Sequence, residues 1–123
     1  MAYNHVNNAG SQARYIYVNY VDGGGDNHMG QAEGVSSVSD HGTGDFTVNF
    51  SDSFSATNYA FFQGCGSENT NGNRGANGCN IKSVSEKATN SCRVVSYYGS
   101  TSSSNGNFTS SKTTTMAFIG HVS

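Results

Sequence analysis

The 123-residue sequence predicts an all-β fold, a single β-sandwich or jelly-roll-like domain of about seven or eight short antiparallel strands. Three observations predict it. The apolar residues are mostly Val, Phe and Tyr, which suit pleated strands. Leucine is absent and Glu, Lys and Gln are scarce, so helix formers are lacking. Short alternating runs recur between clusters of Gly, Asn, Asp and Ser, which read as strands and turns.

Met1 to Gln12 is polar and holds little to pack. It reads as an N-terminal arm (1–12) ahead of one domain (13–123). The first strand is Arg14 to Val21, where Ile16, Val18 and Tyr20 alternate with Tyr15, Tyr17 and Asn19. Asp22 to Asn27 is a loop by its turn chemistry. Met29 to Ala32 is a short strand. Val35 to Ser39 and Asp45 to Phe50 form a hairpin around Asp40-His41-Gly42-Thr43-Gly44, with Phe46, Val48 and Phe50 on one side. Tyr59 to Cys65 is the next strand, followed by an Asn/Gly-rich loop from Gly66 to Gly78. Ile81 to Ser85, Cys92 to Tyr98 and Thr113 to Val122 complete the set, with a polar loop at Gly99 to Gly106.

Composition excludes several functions. Apolar residues are only 34%, but the formal charge is −2 and charged residues are 11%, so the high-charge half of the disorder signature is missing. The six basic residues, Arg14, Arg74, Lys82, Lys87, Arg93 and Lys112, are scattered, which argues against nucleic acid as a partner. No apolar run approaches membrane-spanning length. Met1 to Gly10 lacks the basic start and apolar stretch of a signal peptide, so synthesis in the cytoplasm is expected.

Several strands are apolar on both faces. Tyr15 and Tyr17 lie opposite Ile16 and Val18, Tyr59 and Phe61 opposite Ala60 and Phe62, and Met116 and Phe118 opposite Ala117 and Ile119. Val94 and Tyr98 likewise lie opposite Val95 and Tyr97. A two-layer sandwich covers one face of each sheet. A homo-oligomer is therefore expected to cover the other, through Tyr15, Tyr17, Phe62 and Tyr97.

No motif demands catalysis. Gly42 and Gly44, with Asp40 and Asp45, read as turn chemistry: glycine supplies positive φ and Asp caps turn amides. Asp22, Asp26 and His28 cluster around three glycines, and the aspartate oxygens would suit a weak calcium site, but the spacing does not match an EF-hand and a solvated loop is the expectation. His5, His41 and His121 are isolated from one another. No metal and no cofactor are expected. There is no G-x-S-x-G elbow and no singled-out carboxylate pair, so the chain is not expected to be an enzyme. Cys65, Cys79 and Cys92 form an odd set. One disulfide is the candidate, Cys65–Cys79 or Cys79–Cys92; closing the first loop would stabilise the fold by about 3 kcal/mol in the chain-entropy model. The loops offer a binding reading instead. Their Ser, Gly, Asn and Tyr content is similar to that of antibody paratopes. Asn69, Asn71, Asn73, Arg74, Asn77, Tyr97 and Tyr98 are the candidate ligand residues, and a surface glycan is the ligand class.

One segment points further. Val35-Ser36-Ser37-Val38-Ser39-Asp40-His41-Gly42-Thr43-Gly44-Asp45-Phe46-Thr47-Val48-Asn49-Phe50, followed by Asn58-Tyr59-Ala60, resembles a recurring motif of phage tail-fibre and related virion structural proteins. Ala13 to Tyr20 is similar to that family's upstream strand. Cys92 to Tyr98 and Met116 to Gly120 look like its last two strands. The resemblance covers about Ala13 to Val122 and is most specific over Val35 to Ala60. Ser53-Phe54-Ser55-Ala56 replaces a piece that usually contains proline. The resemblance implies a virion-surface location, a homotrimer, other virion proteins as partners, and no catalytic residues. In many relatives this domain ends a long fibre, whereas here it stands alone with its own Met1, a second departure that counts against a fibre-tip role; a separately encoded fibre or knob subunit contacting a host glycan is the expectation. The alternatives are a capsid decoration or cement subunit and an oligomeric carbohydrate-binding module.

Overall fold

A computed structural model describes residues 12–20, 29–42, 44–66, 76–99, 107–108 and 113–122. These residues form β1 (Gln12–Tyr20), β2 (Met29–Glu33), β3 (Val35–Gly42), β4 (Asp45–Phe50), β5 (Ala60–Gly66), β6 (Ala76–Ile81), β7 (Ser91–Gly99), β8 (Asn107–Phe108) and β9 (Thr113–Val122). A 3-10 turn, Val84–Glu86, precedes β7. The all-β expectation holds. Two antiparallel sheets result, one ordered β2-β1-β9-β5 and the other β3-β4-β7-β6, with β8 paired to β7.

Alternation drives the packing. Ile16, Val18 and Tyr20 of β1, with Met116 and Phe118 of β9, point inward from the four-stranded sheet and are buried. Val38, Phe46, Val48, Phe50, Cys79, Cys92 and Val94 meet them from the five-stranded sheet. Tyr20 and Phe46 touch across the layers with ring centroids 4.5 Å apart, and Phe50 meets Phe118 at 4.9 Å. Each fully buried aromatic or aliphatic side chain stabilises the fold by about 1.5–3 kcal/mol relative to exposure.

The chain changes sheet at Gly34, between β2 and β3. Its φ of +74° is left-handed, and a Cβ there would lie 3.0 Å from Ile16 Cγ1. The hairpin turn follows the expected chemistry: Gly42 and Gly44 have φ of 123° and 65°, and the Gly42 N–H donates to Asp40 Oδ1 at 2.8 Å. Between β4 and β5 the chain closes one end of the sandwich. Phe54 and Tyr59 are buried and stack at 4.5 Å. The N–H groups of Phe54 and Ser55 donate to Thr89 O at 2.9 Å and His121 O at 2.7 Å. Proline at either position would lose that bond.

Two expected boundaries are corrected. The loop expected over Gly66 to Gly78 is shorter, because β6 already begins at Ala76. The strand expected over Ile81 to Ser85 ends at Ile81. Ser83 then caps the 3-10 turn, its Oγ accepting from Ser85 N at 3.1 Å. A local serine cap outcompetes strand pairing here, and Val84 is left 91% exposed. The expected arm 1–12 lies outside the described residues except Gln12.

Candidate functional site

The two outer faces of the sandwich have opposite chemistry. On the four-stranded sheet, cross-strand register builds two rows. Tyr17 of β1, Ala117 of β9 and Phe62 of β5 form one; Tyr15, Ile119 and Ala60 form the next. Tyr15 is 60% exposed, Phe62 57% and Tyr17 38%. Asn19, Thr115 and Gly64 form a polar row beyond them. On β1, β9 and β5 this face carries no Asp, Glu, Lys or Arg among the described residues. Glu33, opposite Tyr17, stands at the β2 rim. Three of the four expected interface residues, Tyr15, Tyr17 and Phe62, thus share one face. The fourth, Tyr97, belongs to β7 in the other sheet, and its side chain lies outside the described residues.

Among the described residues, the outer face of the five-stranded sheet is tied together by polar contacts. Asn49 Nδ2 donates to Ser37 Oγ at 2.9 Å and to Ser39 Oγ at 3.2 Å. His41 Nε2 and Thr47 Oγ1 are 2.8 Å apart. Asp45 holds an ion cluster: Arg93 donates to both its oxygens, at 2.8 and 2.9 Å, and Lys82 Nζ donates at 3.0 Å. Arg93 also reaches Glu86 at 3.5 Å. The Arg93 hydrogen bond, opposed by partial burial and aided by Lys82, holds the Asp45 carboxyl well down, at about 2. The paired guanidinium of Arg93 is raised in turn, chiefly by its bond to Asp45. In the sequence these cations are scattered and Asp45 is expected to cap a turn. Only the pairing of β4 with β7, and of β6 with β7, brings Asp45, Arg93 and Lys82 together.

The two described cysteine side chains are buried thiols. A Cys79–Cys92 disulfide is corrected by register. Cys79 pairs with Ser96, four positions along β7 from Cys92, a separation of about 13 Å, against the usual limit near 7 Å. The Cys79 thiol donates to Gln63 Oε1 at 3.5 Å. The alternative, Cys65–Cys79, falls on a side chain, that of Cys65, outside the described residues. Burial pushes the Cys92 thiol up to about 11, so little thiolate forms near neutral pH. Tyr59 is also pushed above its ordinary value by burial. Its hydroxyl donates to Ala88 O at 3.0 Å, and Lys87 Nζ lies 4.4 Å over its ring while donating to Tyr59 O at 2.7 Å. These contacts tie Tyr59 and Lys87 into the closed end.

The strand ends on either side of the polar connections gather at the opposite end. Strand pairing sets Tyr20 beside Thr114 and Gly66 beside Thr113 in one sheet. In the other it sets Ala76 beside Gly99, while Gly44 O accepts from Ser96 N at 2.8 Å. The strand ends that flank segments 21–28, 67–75, 100–106 and 109–112 therefore all lie at this end. Asn77 is directly opposite Tyr98, and Tyr97 is opposite both Gly78 and Phe108. The side chains of Asn77, Tyr97 and Tyr98, and the whole of Asn69, Asn71, Asn73 and Arg74, lie outside the described residues, as do Asp22, Asp26 and His28. Among the described residues no three His, Cys, Asp or Glu group as metal ligands. No helix among them is long and apolar enough to cross a membrane. Compared with known proteins, the chain matches no family model, no characterised protein and no solved structure.

Proposed function

We propose that this chain is a non-enzymatic structural protein of a phage particle, a fibre or knob subunit at the virion surface that contributes to host attachment through glycans. The segment Val35 to Ala60 carries the reading, by its resemblance to virion structural proteins. Two features of the fold support it. The motif's first half is a tight hairpin whose Phe46, Val48 and Phe50 feed the core, so the resemblance lies in scaffold positions. The described strand ends that flank the polar connections also lie at one end, an arrangement compatible with a rigid sandwich that displays recognition loops. A capsid decoration subunit is the second reading. The exposed aromatic residues on the four-stranded sheet favour it, because such a face also suits docking on a larger assembly.

Locating the chain in intact particles by electron microscopy, with its copy number, tests both. A few copies at the tail or on projecting fibres is the expected result. Hundreds of copies spread over the capsid would overturn the fibre reading for decoration, and absence from particles would overturn both. Glycan-array binding that disappears when residues 66–78 are replaced would support receptor contact at the loop end.

A further inference from the structure

We infer that Cys65 and Cys79 are a redox pair whose disulfide, formed on oxidation, clasps the last strands of the two sheets together. β5 ends the four-stranded sheet and β6 ends the five-stranded one. They pair with β9 and β7 and not with each other. Their Cα atoms nevertheless come within 8 Å across the layers, closer than the ~10 Å usual between packed sheets. A disulfide between sheets needs such an approach, because its Cα atoms stand about 4.4–6.8 Å apart.

Register puts both cysteine positions in this gap. Directly opposite residues of an antiparallel pair share a face. Gln63 is opposite Met116 and Cys65 is opposite Thr114, and both of those β9 residues are fully buried. Gln63 and Cys65 therefore hold successive inner positions on β5. On β6, Cys79 is opposite the buried Ser96 and is itself part of the core. Its Sγ donates to Gln63 Oε1 at 3.5 Å, so this thiol already meets the β5 side of the gap. Cys65 is the next inner position, toward the end of the sandwich where β6 begins. Cys92 is left out of the pair. It lies four positions along β7 from the partner of Cys79, and burial pushes its thiol up to about 11.

The oxidant is a small-molecule disulfide such as oxidised glutathione. One cysteine thiolate opens its S–S bond and releases one glutathione thiolate; the other cysteine thiolate then displaces the second. Two protein thiols are oxidised to one disulfide, one glutathione disulfide is reduced to two thiols, and the two protons pass to them. The bond closes a ring of 15 residues, 65 to 79, and ties together the strands from which segment 67–75 runs. The inference rests on β5 and β6 and stands apart from the virion reading, since purified protein tests it without any particle.

Disulfide mapping of the full chain is the experiment. Reduced protein is incubated with oxidised glutathione under native conditions and digested with trypsin without reduction. Cleavage after Arg14, Arg74, Lys82, Lys87 and Arg93 leaves the three cysteines on separate peptides, 15–74, 75–82 and 88–93. The expected product is 15–74 linked to 75–82 within one chain, with 88–93 free. Oxidation is expected to raise the melting temperature by about 10 °C, the entropic effect of such a ring in a domain of this size. Dithiothreitol is expected to reverse the rise. Cys65→Ser is expected to melt as reduced wild type does, which shows that it folds, and to lose both the link and the rise. Glutathione retained on the cysteines without a link, a link to 88–93, or a link between chains would overturn the inference. A link that fails to raise the melting temperature would overturn it as well, because the native strands would not then be accommodating the bond.

Discussion

Asp45 shows how a single side chain takes its role from strand pairing. Two cations converge on it across β7 and at the end of β6, and its carboxyl is depressed from 3.8 to about 2. A depressed carboxylate contributes stability that is fully present above the unfolded value. That stability is lost as pH falls from about 4 through about 2. Lys82 and Arg93 remain partly exposed, so solvent screening reduces the contribution to about 1 kcal/mol. Asp45→Asn is accordingly expected to lower unfolding free energy by about that amount at neutral pH. Urea titrations should show the gap to wild type closing between pH 4 and pH 2; a gap constant over that range would remove the ion cluster from the explanation. Gly120 illustrates the opposite dependence, on space. It faces inward, where a Cβ would meet Tyr59 Cβ at 2.7 Å and Phe54 Cδ1 at 2.9 Å. Nothing in the local run Phe118-Ile119-Gly120 announces that constraint.

Among the elements, the β2–β3 passage and the β4–β5 segment do the work of joining the sheets. Gly34 turns the chain from one layer to the other in a left-handed conformation, and its carbonyl accepts from Ser51 N at 2.8 Å. Gly34→Ala must absorb both positive φ and contact with Ile16, a cost of about 1–3 kcal/mol. Chemical denaturation should therefore show a lowered midpoint with an unchanged slope. The hairpin β3–β4 was legible beforehand, because Gly42, Gly44 and Asp40 carry its turn in sequence order. The 3-10 turn was not, since Ile81 to Ser85 contains two β-branched residues and only the Ser83 cap, competing locally, diverts the chain.

The whole molecule is one core shared by two sheets whose outer faces differ in the described side chains they expose. Phe118 touches Phe50, Tyr59 and Phe61, and so ties β9 to both layers and to the closed end. Phe118→Ala is expected to cost about 3–5 kcal/mol, a large share of the total for a domain of this size. Calorimetry should show this as a lower melting temperature; a change of only a degree or two would mean the layers are not jointly held. The all-β class, the strands β1, β4 and β9, the β3–β4 turn and the two-sided apolarity of β1 and β5 were all readable from local periodicity and turn residues. Those properties depend on neighbours two to four positions apart. Which apolar face is covered, that Tyr97 stands in a different sheet from Tyr17, that Cys79 and Cys92 are out of register, and that Asp45 gathers Arg93 and Lys82 depended on pairings across 13 to more than 100 residues. Period-two alternation assigns a side chain to one of two faces but carries no label for the sheet or for the neighbour opposite. Those come only when the strands pair and the two layers close on each other.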